Sequence, residues 1–157
     1  MKARIHVLAV VAFLMAPQTP APLTFNGVWE AVKVNAQALP MTDRVVGDDR
    51  LTHVIRLHEM TIRLRPNGKF QASLRYRQAI LSKGEKIETV PLQNDTWVGD
   101  YTVRGTHMKF VPERQGKRLV QPFEGEAAGR MTTVGFDYEI VTKKHYVLDL
   151  RKNDSIY

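Results

Sequence analysis

From residue 25 onward, apolar side chains recur at every second position, segment after segment. Val134, Phe136, Tyr138 and Ile140 alternate with polar neighbours, and so do Tyr146, Leu148 and Leu150 near the end of the chain. Successive side chains of a strand point to opposite faces, so each such segment is a strand with one apolar face. The segments are short, and Gly, Pro, Asn and Ser separate them at hairpin spacing, with little helix signal between them. An antiparallel meander with one apolar face can bury it by closing on itself. This predicts an all-β, up-and-down barrel of eight or nine strands, which also removes both sheet edges. A two-sheet β-sandwich is the alternative that satisfies the same pattern.

Parity also fixes some of the pairing. In residues 52–65, Ile55 and Leu57 share one parity, while Met60, Ile62 and Leu64 share the other. One face can stay apolar throughout only if an extra residue is inserted near His58-Glu59, which predicts a β-bulge there. The following turn contains Pro66-Asn67-Gly68. Keeping Met60, Ile62 and Leu64 on the face of Phe70, Ala72 and Leu74 requires Leu64 opposite Phe70, Ile62 opposite Ala72 and Met60 opposite Leu74. That leaves a three-residue loop, with Pro presetting a type I turn and Gly in the left-handed position after it. The same register brings Glu59 near Arg75 on the outer face.

Other segments read less sharply. A first strand spans residues 25–34, and a long non-periodic connection, 35–50, follows it. Connections of that length within compact domains are often functional or mobile. Strands are expected at 69–81, 87–92 and 96–104, and Gly105-Thr106 reads as a two-residue type II′ turn pairing Val103 with Met108 and Tyr101 with Phe110. Residues 112–117 form a polar turn. Strands at 119–127 and 131–141 join around Ala128-Gly129, and the last strand covers 145–152, followed by a frayed tail at 153–157. If Ile140 pairs Tyr146, Asp137 faces Asp149, and like charges directly opposed are destabilising. A register shifted by two, with Asp137 opposite Val147, avoids the clash. A cation held between the two carboxylates is the other resolution.

Residues 1–21 have the make-up of an export signal: Lys2 and Arg4, an apolar run over 5–15 broken only by His6, then Thr19 and Ala21 at the small-residue positions a signal peptidase reads. The run is well short of the roughly 20 residues of a membrane-spanning helix. Pro22 argues against a cut directly after Ala21, so the mature start stays open. The chain has no cysteine, which excludes a lipid-anchored lipoprotein, disulfides and thiol chemistry. The expectation is one domain, residues 22–157, in a periplasmic or secreted protein. The formal charge of the whole chain is +7. Without Lys2 and Arg4 it is still about +5, a balance that favours anionic partners over neutral ones. Export argues against nucleic acid.

The stretch Phe25-Asn26-Gly27-Val28-Trp29-Glu30 resembles the Gly-x-Trp signature on the first strand of lipocalins, which are calycin-type barrels. The order of elements is similar as well. In lipocalins a long first loop lies across the open mouth of the barrel, which residues 35–50 match in place and length. The family also carries an Arg near the end of the last strand that packs on the Trp ring, and Arg151 stands at the corresponding position. The resemblance is closest to short, exported bacterial lipocalin-like domains. It implies a structural signature of Gly27, Trp29 and Arg151, with Trp29 plugging one end of the barrel. Two family features are not carried over: Phe136-Asp137-Tyr138 falls within a strand rather than in a loop, and the usual disulfide has no cysteines to form it.

Barrels of this size either fill their interior or hold one small ligand. The inferred inner face mixes large residues with the small Ala72, Gly99, Gly125 and Ala127, which would either leave a pocket or relieve crowding. Candidate ligand-binding residues are Tyr76, Tyr101, Phe110, Phe136, Tyr138 and Tyr146, whose hydroxyls and rings suit a small hydrophobic or amphipathic ligand. His53, His58, His107 and His145 lack metal-ligand spacing. No triad, phosphate loop or metal set is visible, and no cofactor is expected. The outer face carries Arg63, Arg65, Lys69, Arg75, Arg77, Arg104 and Lys109. Two readings result: a non-catalytic exported binding protein holding a small ligand, or a filled barrel whose basic outer face contacts an anionic envelope component or a protein. Either would work as a monomer or weak dimer.

Overall fold

A computed structural model describes residues 24–113 and 121–153. The export signal over 1–21, most of the polar turn at 112–117, the start of the strand at 119–127 and nearly all of the tail at 153–157 lie outside the described residues. Ten strands are present among the described residues: β1 Gly27–Val34, β2 Gln37–Ala38, β3 Met41–Val46, β4 Thr52–Leu64, β5 Lys69–Ser82, β6 Glu85–Arg104, β7 His107–Pro112, β8 Phe123–Ala128, β9 Met131–Glu139 and β10 Lys143–Asn153. Neighbouring strands are antiparallel. The ring runs β1-β10-β9-β8-β7-β6-β5-β4 and closes where β4 pairs back onto β1. It is a closed up-and-down barrel of eight strands, and β2 and β3 are extra to the ring.

The derived hairpins match the observed ones. Leu64 pairs Phe70, Ile62 pairs Ala72 and Met60 pairs Leu74, and the β4–β5 register slips between Leu57 and Glu59, leaving His58 as the inserted residue. Gly68 has φ 76, and the Arg65 amide donates to the Lys69 carbonyl across the loop. Val103 pairs Met108 and Tyr101 pairs Phe110 across Gly105-Thr106, where Gly105 has φ 63. Glu59 accepts a bond from Arg75 at 3.0 Å.

Three expectations are corrected. The connection 35–50 is not a loop across an open mouth. Asn35 and Ala36 take positive φ and turn β1 directly into β2. Met41, Asp43 and Val45 then alternate with the exposed Thr42, Arg44 and Val46, a period that makes β3 a strand. β3 pairs residues 52–57 of β4, while β1 pairs residues 61–64 of the same edge, and the His58 bulge falls between the two.

The strands expected at 87–92 and 96–104 are one strand, β6, of 20 residues. Pro91 does not end it because the register slips there: Tyr76 pairs Gln93 and Gln78 pairs Val90, so Pro91 sits in a bulge where no ladder donor is required.

The β9–β10 hairpin takes neither expected register. Tyr146 pairs Phe136, His145 pairs Asp137 and Asp149 pairs Thr133. Asp137 thereby gains His145 at 2.8 Å and Lys143 at 3.4 Å instead of facing another carboxylate. Asp149 accepts a bond from the Thr133 hydroxyl at 3.2 Å.

Candidate functional site

The inward positions of the strands converge on a packed aromatic core. Phe70 meets Phe110 edge-on at 5.3 Å, Phe110 stacks on Phe123 at 4.6 Å, Phe123 lies 5.9 Å from Phe136, and Phe136 lies 5.8 Å from Tyr146. Trp97 stacks on Tyr138 at 5.4 Å. Trp97 and Phe123 extend the set drawn from the sequence. Both share parity with residues already placed inside, Gly99 and Gly125, so the signal was present. Of the six candidate ligand-binding residues, Tyr76, Phe110, Phe136, Tyr138 and Tyr146 are buried in this core, and Tyr101 packs half-buried against it.

The void among Val34, Leu57, Met60, Leu74, Phe136, Tyr146 and Leu148 measures about 10 Å³, room for about one water. The small inner residues do not open a space there. A Cβ on Gly99 would stand 2.2 Å from the Val111 carbonyl oxygen, and one on Gly125 would stand 2.9 Å from that of Thr133. These glycines let neighbouring strands approach.

Two of the inner hydroxyls are tied up locally. Tyr101 donates to Asn26 Oδ1 and to the Arg65 carbonyl, both at 2.9 Å, and Tyr138 donates to the Asp95 carboxylate. Burial, reinforced by the nearby Asp43 charge, pushes the Tyr146 phenol up to about 12. Asp43 in turn holds Lys144 at 2.6 Å, linking β3 to the start of β10. Among the described residues, two inner groups lack a partner: the Trp97 indole N–H and the Thr132 hydroxyl are buried and unbonded.

Gly27 and Trp29 lie on the seam that closes the ring. Trp29 is 2% exposed, stands opposite Ile62 of β4 on one side and Lys152 of β10 on the other, and donates its indole N–H to the Phe25 carbonyl at 2.8 Å. Gly27 has φ 125, a conformation L side chains rarely adopt. Arg151 does not share the Trp29 face. It is exposed and stands opposite Glu30 and Met131, because Leu148, Leu150 and Lys152 take the inward parity of β10. Lys152 is the cation on the Trp29 side, and its ammonium donates to the Thr24 carbonyl at 2.7 Å.

Outside the barrel, the expected basic stripe divides. Lys69 is neutralised by Asp100 at 2.8 Å and Glu113 at 3.4 Å, and Arg75 by Glu59. Arg104 and Lys109 line an open groove of about 250 Å³ with Thr102 and His107, and His107 also bonds Glu126 at 2.7 Å. Arg77 is different. It stands directly opposite Arg56, both are exposed, and among the described residues neither has an ion-pair partner. Sequence reasoning missed Arg56, although it has the outward parity between Ile55 and Leu57. His58, at the adjoining bulge, has an enclosed Nε2 without a partner. Burial, then the charges of Arg56, Arg77 and Arg75, hold its pKa below the usual histidine value.

Among the described residues, no three His, Asp or Glu side chains converge in a metal-holding group. The architecture is a calycin-like closed barrel with a tightly packed interior around Phe136 and Tyr146 and, on its outer face, an Arg56–Arg77 pair without an ion-pair partner among the described residues. The chain matches no protein-family model, and no curated protein matches it.

Proposed function

We propose that this chain is an exported, lipocalin-like barrel that acts as a non-catalytic interaction module, using its basic outer face to contact an anionic envelope component. The observation that carries the reading is the contrast between inside and outside. The cavity bordered by Phe136 and Tyr146 holds about 10 Å³, whereas a drug-sized ligand needs a pocket of several hundred. Among the described residues, the outer face keeps Arg56 and Arg77 side by side without an ion-paired carboxylate, an arrangement that costs stability and that an anionic partner would offset. Retention of the purified protein on a polyphosphate-coated matrix tests this. Binding that weakens with salt and is lost in Arg56→Glu/Arg77→Glu is the expected result. Equal retention of the double variant would refute the reading.

A second reading, a small hydrophobic or amphipathic ligand held in the barrel, has one observation in its favour. The unbonded Trp97 indole N–H, stacked on Tyr138, is a buried donor of the kind a ligand carbonyl satisfies. Native mass spectrometry of protein purified without detergent would detect such a ligand as a mass shift lost in Trp97→Phe.

A further inference from the structure

The strands differ greatly in length. β4, β5 and β6 have 13, 14 and 20 residues, while β7 has 6 and pairs only with residues 99–104 of β6. Among the described residues, the far halves of β4, β5 and β6 therefore run on past β7 and, with β3, form a four-stranded sheet at one end of the barrel. Its inner face is sealed by the buried Met41, Val45, Ile55, Leu57 and Tyr76.

The outer face can be read row by row from the register. One row is Thr42, Arg56, Arg77. The next is Arg44, Val54, Ala79, Thr89, and the one after it is Val46, Thr52, Leu81, Lys86. Arginines thus border a cross-strand apolar patch of Val54 and Ala79, which continues to Leu81 and Val46. Val46 is 66% exposed, and Ile87, at the tip of the same sheet, is 58% exposed. Lys83 and Lys86 stand at the turn beyond. Of the nearby carboxylates, Glu59 is held by Arg75 and Asp49 by the Leu51 amide and His53, Asp48 and Glu85 sit at the turn tips, and the exposed Glu88 lies between Ile87 and Thr89, opposite Ile80 on the other parity.

We infer that this face of the β3–β6 sheet docks on an anionic phospholipid surface. The inference rests on the basic-face reading above and names its partner. A soluble polyanion would use the guanidinium groups alone. It would leave exposed valine and isoleucine on a sheet that, among the described residues, ends at β3, which is an aggregation liability in water. A lipid surface uses both chemistries. Arginine forks match headgroup phosphates, and the aliphatic side chains between them enter the acyl boundary. The charge complements the anionic leaflet, where each basic side chain near the surface adds to the affinity.

Co-sedimentation of the full chain with vesicles tests the inference, using phosphatidylglycerol mixed into phosphatidylcholine, phosphatidylcholine alone, and polyphosphate as a soluble probe. Binding to the phosphatidylglycerol vesicles should exceed that to pure phosphatidylcholine by about tenfold or more. Arg56→Gln/Arg77→Gln should weaken both vesicle and polyphosphate binding. Val46→Ser/Ile87→Ser should weaken vesicle binding several-fold and leave polyphosphate binding unchanged. All four positions are exposed, and unchanged melting of the variants checks that the fold survives. Polyphosphate binding without vesicle binding, or vesicle binding indifferent to Val46→Ser/Ile87→Ser, overturns the lipid inference and leaves the basic-face reading standing. Binding to neither probe removes both.

Discussion

Arg56 and Arg77 stand directly opposite each other on β4 and β5, both exposed and, among the described residues, without an ion-pair partner. Like charges in that position destabilise a strand pair by roughly 0.2–1 kcal/mol. Replacing one with a neutral β-branched residue should therefore stabilise the barrel. Arg77→Thr is expected to raise the urea midpoint by an amount equivalent to a few tenths of a kcal/mol, with the gain shrinking at high salt as the repulsion is screened. A lower midpoint would mean that the guanidinium stems contribute packing that outweighs the repulsion.

Trp29 and Arg151 separate two roles that the sequence grouped together. Trp29 is buried on the seam between β4 and β10, so Trp29→Ala opens a cavity where the ring closes and should cost roughly 3–5 kcal/mol. Arg151 is exposed on the outer face, and Arg151→Ala should stay within about 0.5 kcal/mol of the parent. Chemical denaturation of the two variants side by side decides the matter. A large loss in Arg151→Ala would show that its side chain supports the indole after all.

The reach of the sequence on its own differs from element to element. The closed barrel, the His58 bulge and the 64–70 hairpin were legible because parity and turn chemistry constrain each other: a one-residue slip would have put Phe70 in water. The β9–β10 register was not, because a shift by two residues preserves parity and the 140–142 turn has no Gly or Pro to fix its length. Charge decided it, through His145 and Lys143 on Asp137. β3 was hidden because its inward set includes Asp43, whose partner Lys144 is remote in sequence. The role of the small inner residues was undecidable from composition, since Gly99 and Gly125 suit a pocket or a close strand approach equally well.

Gly99 lets that difference be measured. A Cβ there would meet the Val111 carbonyl at 2.2 Å, Phe70 Cε1 at 2.7 Å and Pro112 Cα at 2.7 Å. Two of the three are backbone atoms of the paired strand and cannot swing aside as a side chain can. Gly99→Ala should therefore cost roughly 1–3 kcal/mol through overpacking, although glycine is ordinarily the weaker residue inside a strand. If Gly99→Ala melts at the parent temperature, β7 is free to move outward and the barrel is looser than its packing indicates.

His58 gives the fold a pH dependence with a predictable sign. Burial, then the charges of Arg56, Arg77 and Arg75, lower its pKa from the usual 6.5, with Glu59 on the same face already committed to Arg75. The unfolded chain titrates near 6.5 and takes up a proton that the native imidazole refuses. Stability should therefore fall as pH drops from about 6.5 toward the lowered native value, and be flat with respect to this group above 6.5. The depressed carboxyls act in a separate, more acidic window. Asp137, held by its hydrogen bond from His145, and Glu126, held by that from His107, contribute stability that is lost only as pH falls below their ordinary 3.8 and 4.5. Urea midpoints should therefore rise with pH up to about 6.5 in the parent, level off above that, and lose the rise in His58→Gln. Arg56→Gln/Arg77→Gln should show a smaller slope, because two of the charges that lower the imidazole pKa are gone while burial remains. If His58→Gln keeps the full slope, another group is responsible and the cationic field at the bulge is weaker than its geometry implies.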